Sequence, residues 1–252
     1  MNDKQGAPPS APGLGGGWDE RMAVLLRPFL AHPLQSPQLA ALGVYLDLLL
    51  RWNTRLNLTA VREPENIVTR HIGESLFAAA HLLSRERMPQ TIDLGSGAGF
   101  PGLPFKIYAP ELRLTLVESR QKKATFLREV IRALHLTEVE VFAGRAESFS
   151  GRAGLVILRA VERFEQVLPV AAALLDAPAG AKNSPEPAPA PMPSRLGLLI
   201  GAGQSKQAQA LLPHFQWAEP ISIPCSTSRI LLVGEAHGEV SSFQLPVSSR
   251  PR

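Results

Sequence analysis

A doubly wound, mostly parallel α/β sheet, preceded by a helical segment, is the fold class this chain of 252 residues predicts. Three observations predict it. A short apolar run, TIDL, passes directly into a glycine-rich turn, GSGAGFPG, at residues 91–102. After Met88, runs of β-forming residues alternate with helical stretches, the pattern of a parallel sheet covered on both faces. From Trp18 to about Ser84, apolar residues recur at helical spacing and little reads as strand.

In chain order, residues 1–17 are rich in proline and glycine and read as disordered; with an acid and no apolar core they are not expected to be a signal peptide. Leu39, Leu42, Tyr45, Leu46, Leu49 and Leu50 form the apolar face of one helix, predicted to end near Arg51. The stretch NTRLNLTAV, residues 53–61, breaks that period, and Pro64 opens another helix through His71 and Leu76 to Leu83. The helical region thus spans 18–87 and the α/β domain 88–240. Strands are predicted at 91–94, 113–118, 139–143, 155–158, 195–200 and 229–233, and helices at 101–108, 120–135, 162–175 and 205–212. The helix after Glu118 takes Ser119 as its N-cap and buries Ala124, Leu127, Ile131 and Leu134; its other face carries Arg120, Lys122, Lys123, Arg128 and Arg132. Residues 177–194, rich in proline and alanine, read as an exposed insert, and 241–252 as a loose tail.

Composition narrows the class. A hydrophobic content of 45% is that of a globular protein, and a net charge of +4 leans modestly toward polyanions. The lone cysteine, Cys225, excludes an internal disulfide framework and a cysteine-only metal site. No metal site is expected. No apolar run approaches the roughly 18 to 20 residues needed to cross a bilayer, so a soluble, cytoplasmic protein is expected.

The glycine turn carries the chemistry. Gly95, Gly97 and Gly99 lack a Cβ, so a ligand can lie against the backbone at the mouth of the sheet. Glu118 ends the next strand about 20 residues on, where a carboxylate reaches a ribose hydroxyl pair. Gly97-x-Gly99-x-x-Gly102 also satisfies the dinucleotide fingerprint as a string. Asp93, two residues before the first glycine, turns the choice toward S-adenosylmethionine: an acid there would repel a pyrophosphate, whereas it favours the ammonium of an amino-acid end. After the third strand, GRAESF places the amides of Ala146 and Glu147 where they could read an adenine edge.

With these segments in order, the chain resembles the bacterial 16S rRNA (guanine-N7)-methyltransferase family RsmG, also called glucose-inhibited division protein B. The resemblance covers roughly residues 42–204 and rests on WNTRLNLTAV, TRHIGES, DLGSGAGFPGLP, LVESRQKKATFL, GRAESF and LRAV. It implies a class I S-adenosylmethionine-dependent methyltransferase fold with an N-terminal helical addition. It implies that Gly95 and Phe100 line the cofactor site, with Glu118 at the ribose, Ala146 and Glu147 at the adenine, and Arg159 facing cofactor and substrate. It implies as partner 16S rRNA or the small ribosomal subunit, and as target a guanine in the 530 loop. A monomer is expected.

Guanine N7 already holds a lone pair, so no catalytic acid or base is named and catalysis is expected from positioning. Candidate RNA contacts are Arg51, Arg55, Arg62, Arg70, His71, Lys122, Lys123 and Arg159, while Trp52 reads as core. The chain departs from the family pattern at three places: Glu74 stands where an aspartate is common, Ala153-Gly154 where an acid is common, and Ile200-Gly201 where lysine-glycine is common. The first is a conservative change of little consequence for a surface group.

Overall fold

The structure, a computed structural model, describes residues 17–84, 88–160, 163–176 and 193–236. Most of the predicted disordered N-terminal segment, the bulk of the 177–194 insert and the 241–252 tail lie outside the described residues.

The helical segment contains α1 (Trp18–Leu26), α2 (Ser36–Leu56), α3 (Pro64–Ile67) and α4 (Glu74–Leu82), the last two joined by a π-helical stretch at Val68–Gly73. Pro64 sits in the first turn of α3, where its missing N–H costs nothing. Helix α2 runs one and a half turns beyond the predicted end near Arg51. Asn53, Thr54 and Arg55, the first polar residues of the stretch that breaks the apolar period, are themselves helical, and Asn57, at φ 38, closes the helix. Gly73 lets this run pass close to Phe29: a Cβ there would lie 2.6 Å from the Phe29 ring.

The α/β part contains β1 (Thr91–Leu94), α5 (Gly102–Tyr108), β2 (Leu114–Glu118), α6 (Gln121–Ala133), β3 (Val139–Ala143), β4 (Leu155–Arg159), α7 (Phe164–Ala173), β5 (Arg195–Gly201), α8 (Ser205–Leu211), β6 (Phe215–Trp217), β7 (Ile221–Ser222) and β8 (Arg229–Ala236). All six predicted strands are present. Two short ones, β6 and β7, are additional; three and two residues are too few to show alternation. The sheet order is β3-β2-β1-β4-β5-β8-β6, with β7 also paired to β8. Strands β1 to β5 are mutually parallel, and β8 runs antiparallel to β5. Helix α6 begins after Arg120 rather than being capped by Ser119, and no side chain caps it. It buries Ala124, Phe126, Leu127 and Val130; Ile131 and Leu134, expected inside, are half-buried and pack against the rim of the core.

Alternation along the strands assigns two cores. Leu155 and Ile157 of β4, with Leu199 and Leu231, face the helical segment and join Leu42, Leu46, Leu49, Ile72 and Leu76. Val156 and Leu158, with Leu196, Leu198 and Leu232, face α7 and α8 and join Phe164, Leu168 and Ala208. The helical segment therefore shares one layer of the α/β sandwich with α5 and α6, whose Leu103, Phe105, Phe126 and Leu127 join the same core.

Candidate functional site

The carboxyl ends of β3, β2, β1 and β4 open into a cavity of about 440 Å³. Open parallel sheets bind ligands at such an edge, where the strand order reverses from one side of β1 to the other. Gly95, Gly97, Glu118, Ala146 and Glu147 line it, together with Lys123, Arg120, Arg145 and Arg163.

The glycine turn leaves β1 with the amides of Gly95 and Ser96 donating to the Val117 carbonyl, at 2.9 and 3.0 Å. Gly97 takes φ +59 and donates its amide to Glu118 Oε2 at 2.9 Å. A Cβ there would meet nothing closer than 3.8 Å, because it would project into the cavity. Gly99, at φ +94, is confined instead: its Cβ would lie 2.3 Å from Leu103. Glu118 also accepts from the Arg120 amide at 2.7 Å, so each of its oxygens holds one loop and keeps capacity for a further donor. Ala146 and Glu147 open a short turn at the end of β3, where leading amides have no acceptor within the turn.

Four predicted cofactor residues do not line this cavity: Asp93, Gly99, Phe100 and Arg159. Asp93 is wholly buried beneath the turn, with Oδ2 accepting from the Gly102 amide at 3.0 Å and Oδ1 without a partner. It folds under because Gly102 leaves room; a Cβ at Gly102 would lie 2.6 Å from Asp93 Oδ2. Burial pushes the Asp93 carboxyl up to about 7, against the lowering effect of the Gly102 and Ser96 hydrogen bonds. Phe100 turns toward the helical layer, its ring centroid 5.4 Å from Tyr45 and 4.9 Å from His71, while Tyr45 Oη donates to the Ala98 carbonyl at 2.5 Å. The turn is thus held from below by Asp93, from the next strand by Glu118 and from the helices by Tyr45.

Arg159, at the end of β4, points into the helical layer as well. Its Nη2 donates to the Arg70 carbonyl at 2.7 Å, His71 Nδ1 at 2.9 Å and Glu74 Oε2 at 3.0 Å. Its guanidinium lies 5.9 Å from the Phe100 ring centroid. Arginine only donates, so His71 Nδ1 is an acceptor and the ring proton sits on Nε2, donating to Thr59 Oγ1 at 2.7 Å. Thr59 is in turn clasped by Asn53, whose Oδ1 accepts from the Thr59 amide at 3.0 Å and whose Nδ2 donates to its carbonyl at 3.1 Å. Burial, then the Arg159 charge, lowers His71 to about 3, so the ring stays neutral. His71 therefore presents no charge to RNA phosphates.

Glu74 is buried, so the condition of surface exposure under which its change from aspartate would matter little is not met; it lies 2.8 Å from Arg229 Nε as well as binding Arg159. Arg70, Arg55, Arg62 and Lys122 are exposed as expected, and Arg51 is paired with Asp47. Lys123, expected at RNA, lines the cavity. Tyr45, Asn53, Thr59 and Arg229 escaped the motif reading; the only pointer was that Asn53 and Thr59 lie in NTRLNLTAV.

A family model described as rRNA small subunit methyltransferase G matches residues 38–180, more than half of the 252-residue chain. The chain is 43% identical over 120 residues to ribosomal RNA small subunit methyltransferase G of Chromobacterium violaceum, covering 48% of this chain and 56% of that one. It is 41% identical over 155 residues to the protein of that name from Xanthomonas axonopodis pv. citri, covering 61% and 71%. With the protein from Roseiflexus sp. it shares 51% identity over 116 residues, covering 46% and 48%. The chain spans about half the length of several curated relatives it matches. Among solved structures it is similar to magnesium protoporphyrin IX methyltransferase from Synechocystis PCC 6803, with TM-score 0.55 at 13% identity over 77% of this chain and 97% of that one. It is also similar to the ribosomal protein L11 methylase of Lactobacillus delbrueckii subsp. bulgaricus, with TM-score 0.51 at 12% identity over 67% and 80%. The fold is the class I S-adenosylmethionine-dependent methyltransferase fold.

Proposed function

The chain belongs to the rRNA small subunit methyltransferase G family, and from that premise we propose that it transfers a methyl group from S-adenosylmethionine to N7 of a guanine in the 530 loop of 16S rRNA. The observation that carries this reading is one cavity bringing together the bare Gly95–Gly97 backbone, the Glu118 carboxylate and the leading amides of Ala146 and Glu147. These groups fit S-adenosylmethionine: backbone with no side chain in the way, an acceptor for the ribose hydroxyls and donors for the adenine edge. When bound, that molecule supplies an activated methyl group on a sulfonium.

What remains for the protein is positioning. Guanine N7 attacks as a neutral lone pair, so no side chain has to remove a proton, and the neutral His71 is consistent with that economy. Tyr45, Phe100, His71 and Arg159 connect the helical layer to the glycine turn without lining the cavity. The basic side chains Arg120, Lys123, Arg145 and Arg163 around the opening attract RNA phosphates.

Titration calorimetry should detect S-adenosylmethionine and not NAD; tight NAD binding would overturn the cofactor. Borohydride–aniline cleavage of 16S rRNA from a deletion strain reads the target: the N7-methylguanine signal in the 530 loop should disappear, and its persistence would overturn the substrate.

A further inference from the structure

A second concavity lies on the other side of the first turn of α6. Leu48, Trp52 and Leu56 of α2 face Thr125 and Lys122 of α6 across a cavity of about 570 Å³. Lys122 lines this groove, and its neighbour Lys123 lines the cavity at the strand ends. The first turn of α6 therefore borders both, its adjacent lysines diverging by about 100° around the helix. Trp52, read from sequence as core, is only half-buried; its ring is held by Phe126 at a centroid distance of 5.7 Å and presents a preset aromatic surface to the groove.

The charges around the groove say what occupies it. Arg51 is neutralised by Asp47, and Glu129 is the acid lining the groove. Arg55 and Lys122 are exposed and have no ion-pair partner among the described residues. An indole on an apolar floor beside uncompensated cations is complementary to a nucleotide, with a base to stack and phosphates to neutralise. An apolar protein segment would leave those cations unmatched.

We propose that this groove seats an unpaired nucleotide of the RNA substrate that flanks the methylated guanine, its base against Trp52 and its phosphates at Arg55 and Lys122. The strand then crosses the first turn of α6, with the target on one side and the flanking nucleotide on the other. This rests on the reading of the chain as an RNA methyltransferase, and it explains how the enzyme would hold a single-stranded loop in register.

The test uses the full chain and a labelled single-stranded oligoribonucleotide of the 530-loop sequence. Thr125→Trp fills the groove without touching the core, and Arg55→Glu reverses an exposed charge. Thr125→Trp should raise the RNA Kd about tenfold, the loss of one stacked base, with an unchanged salt slope. Arg55→Glu should weaken binding and flatten the slope of log Kd against log salt by about 0.7. S-adenosylmethionine affinity and the urea midpoint should stay at wild-type values for both. RNA affinities within twofold of wild type would overturn the proposal, as would a wild-type chain that does not bind the oligonucleotide. A defect on whole subunits with no change on the oligonucleotide would also overturn it, assigning the groove to a ribosomal protein. If the variants lose RNA affinity but the wild-type chain transfers no methyl group, the groove stands and the enzymatic reading falls.

Discussion

Asp93 and His71 are both buried ionisable groups whose charged forms burial disfavours, and they respond to pH in opposite directions. The Asp93 carboxyl titrates at about 7 in the folded chain, above its unfolded value, so protonation favours folding. Its contribution is fullest below about pH 4 and is lost as pH rises through 7. His71 stands at about 3, below its unfolded value, so its contribution is full above about pH 6.5 and is lost on acidification toward 3. Replacing Asp93 by Asn keeps an acceptor for the Gly102 amide and removes the titration. Urea midpoints of Asp93→Asn should therefore lose the decline between pH 4 and 7, a difference of up to about 4 kcal/mol; a variant that keeps the wild-type profile would refute the assignment. Glu74 has a different role, because two arginines depend on it. Glu74→Gln should cost about 3 kcal/mol by leaving buried guanidinium charge uncompensated, measurable as a lowered Tm. Glu74→Asp, the residue common in the family, keeps the charge and should cost less.

Among the elements, the glycine turn has two kinds of glycine, and substitution separates them. Gly97→Ala meets open cavity and pays only for its positive φ, about 1–2 kcal/mol, while its methyl intrudes on the ligand space. The expected result is a folded protein with S-adenosylmethionine affinity reduced tenfold or more by calorimetry. Gly102→Ala drives a methyl into Asp93 and Leu116, both 2.6 Å away, and should destabilise by about 1–3 kcal/mol through displacement of α5. If Gly102→Ala instead retained wild-type stability, the close approach of α5 to β1 would be wrong. The spacing of glycines was legible in sequence, but which of them faces a ligand was not, because that depends on what lies opposite each missing Cβ. Glu118 was legible for the same reason as the strand it ends. Asp93 was legible as an acid beside the turn but not as a buried one, since its direction follows from the room at Gly102.

For the whole molecule, the helical segment and the sheet share one core through Leu42, Leu46, Ile72, Leu155 and Ile157. Deleting residues 18–84 should expose the apolar side chains of β4, β5, α5 and α6 that pack against the segment, which far-UV circular dichroism and light scattering would record as an aggregating, unfolded chain. A stable, monomeric truncated domain would contradict that. Among the described residues no helix is long and apolar enough to cross a membrane. From sequence alone, local patterns determined the six longer strands, their alternation with helices, the glycine turn and the acid at the end of the next strand. Each is written within a few neighbouring residues, and period and turn chemistry act at that range. Only the tertiary structure decided that Arg159 joins Arg70, His71 and Glu74, that Lys123 faces the cavity, and that Trp52 borders a groove. Those contacts join residues up to 89 positions apart, as between Arg70 and Arg159, and side-chain direction across such a gap is set by packing between layers.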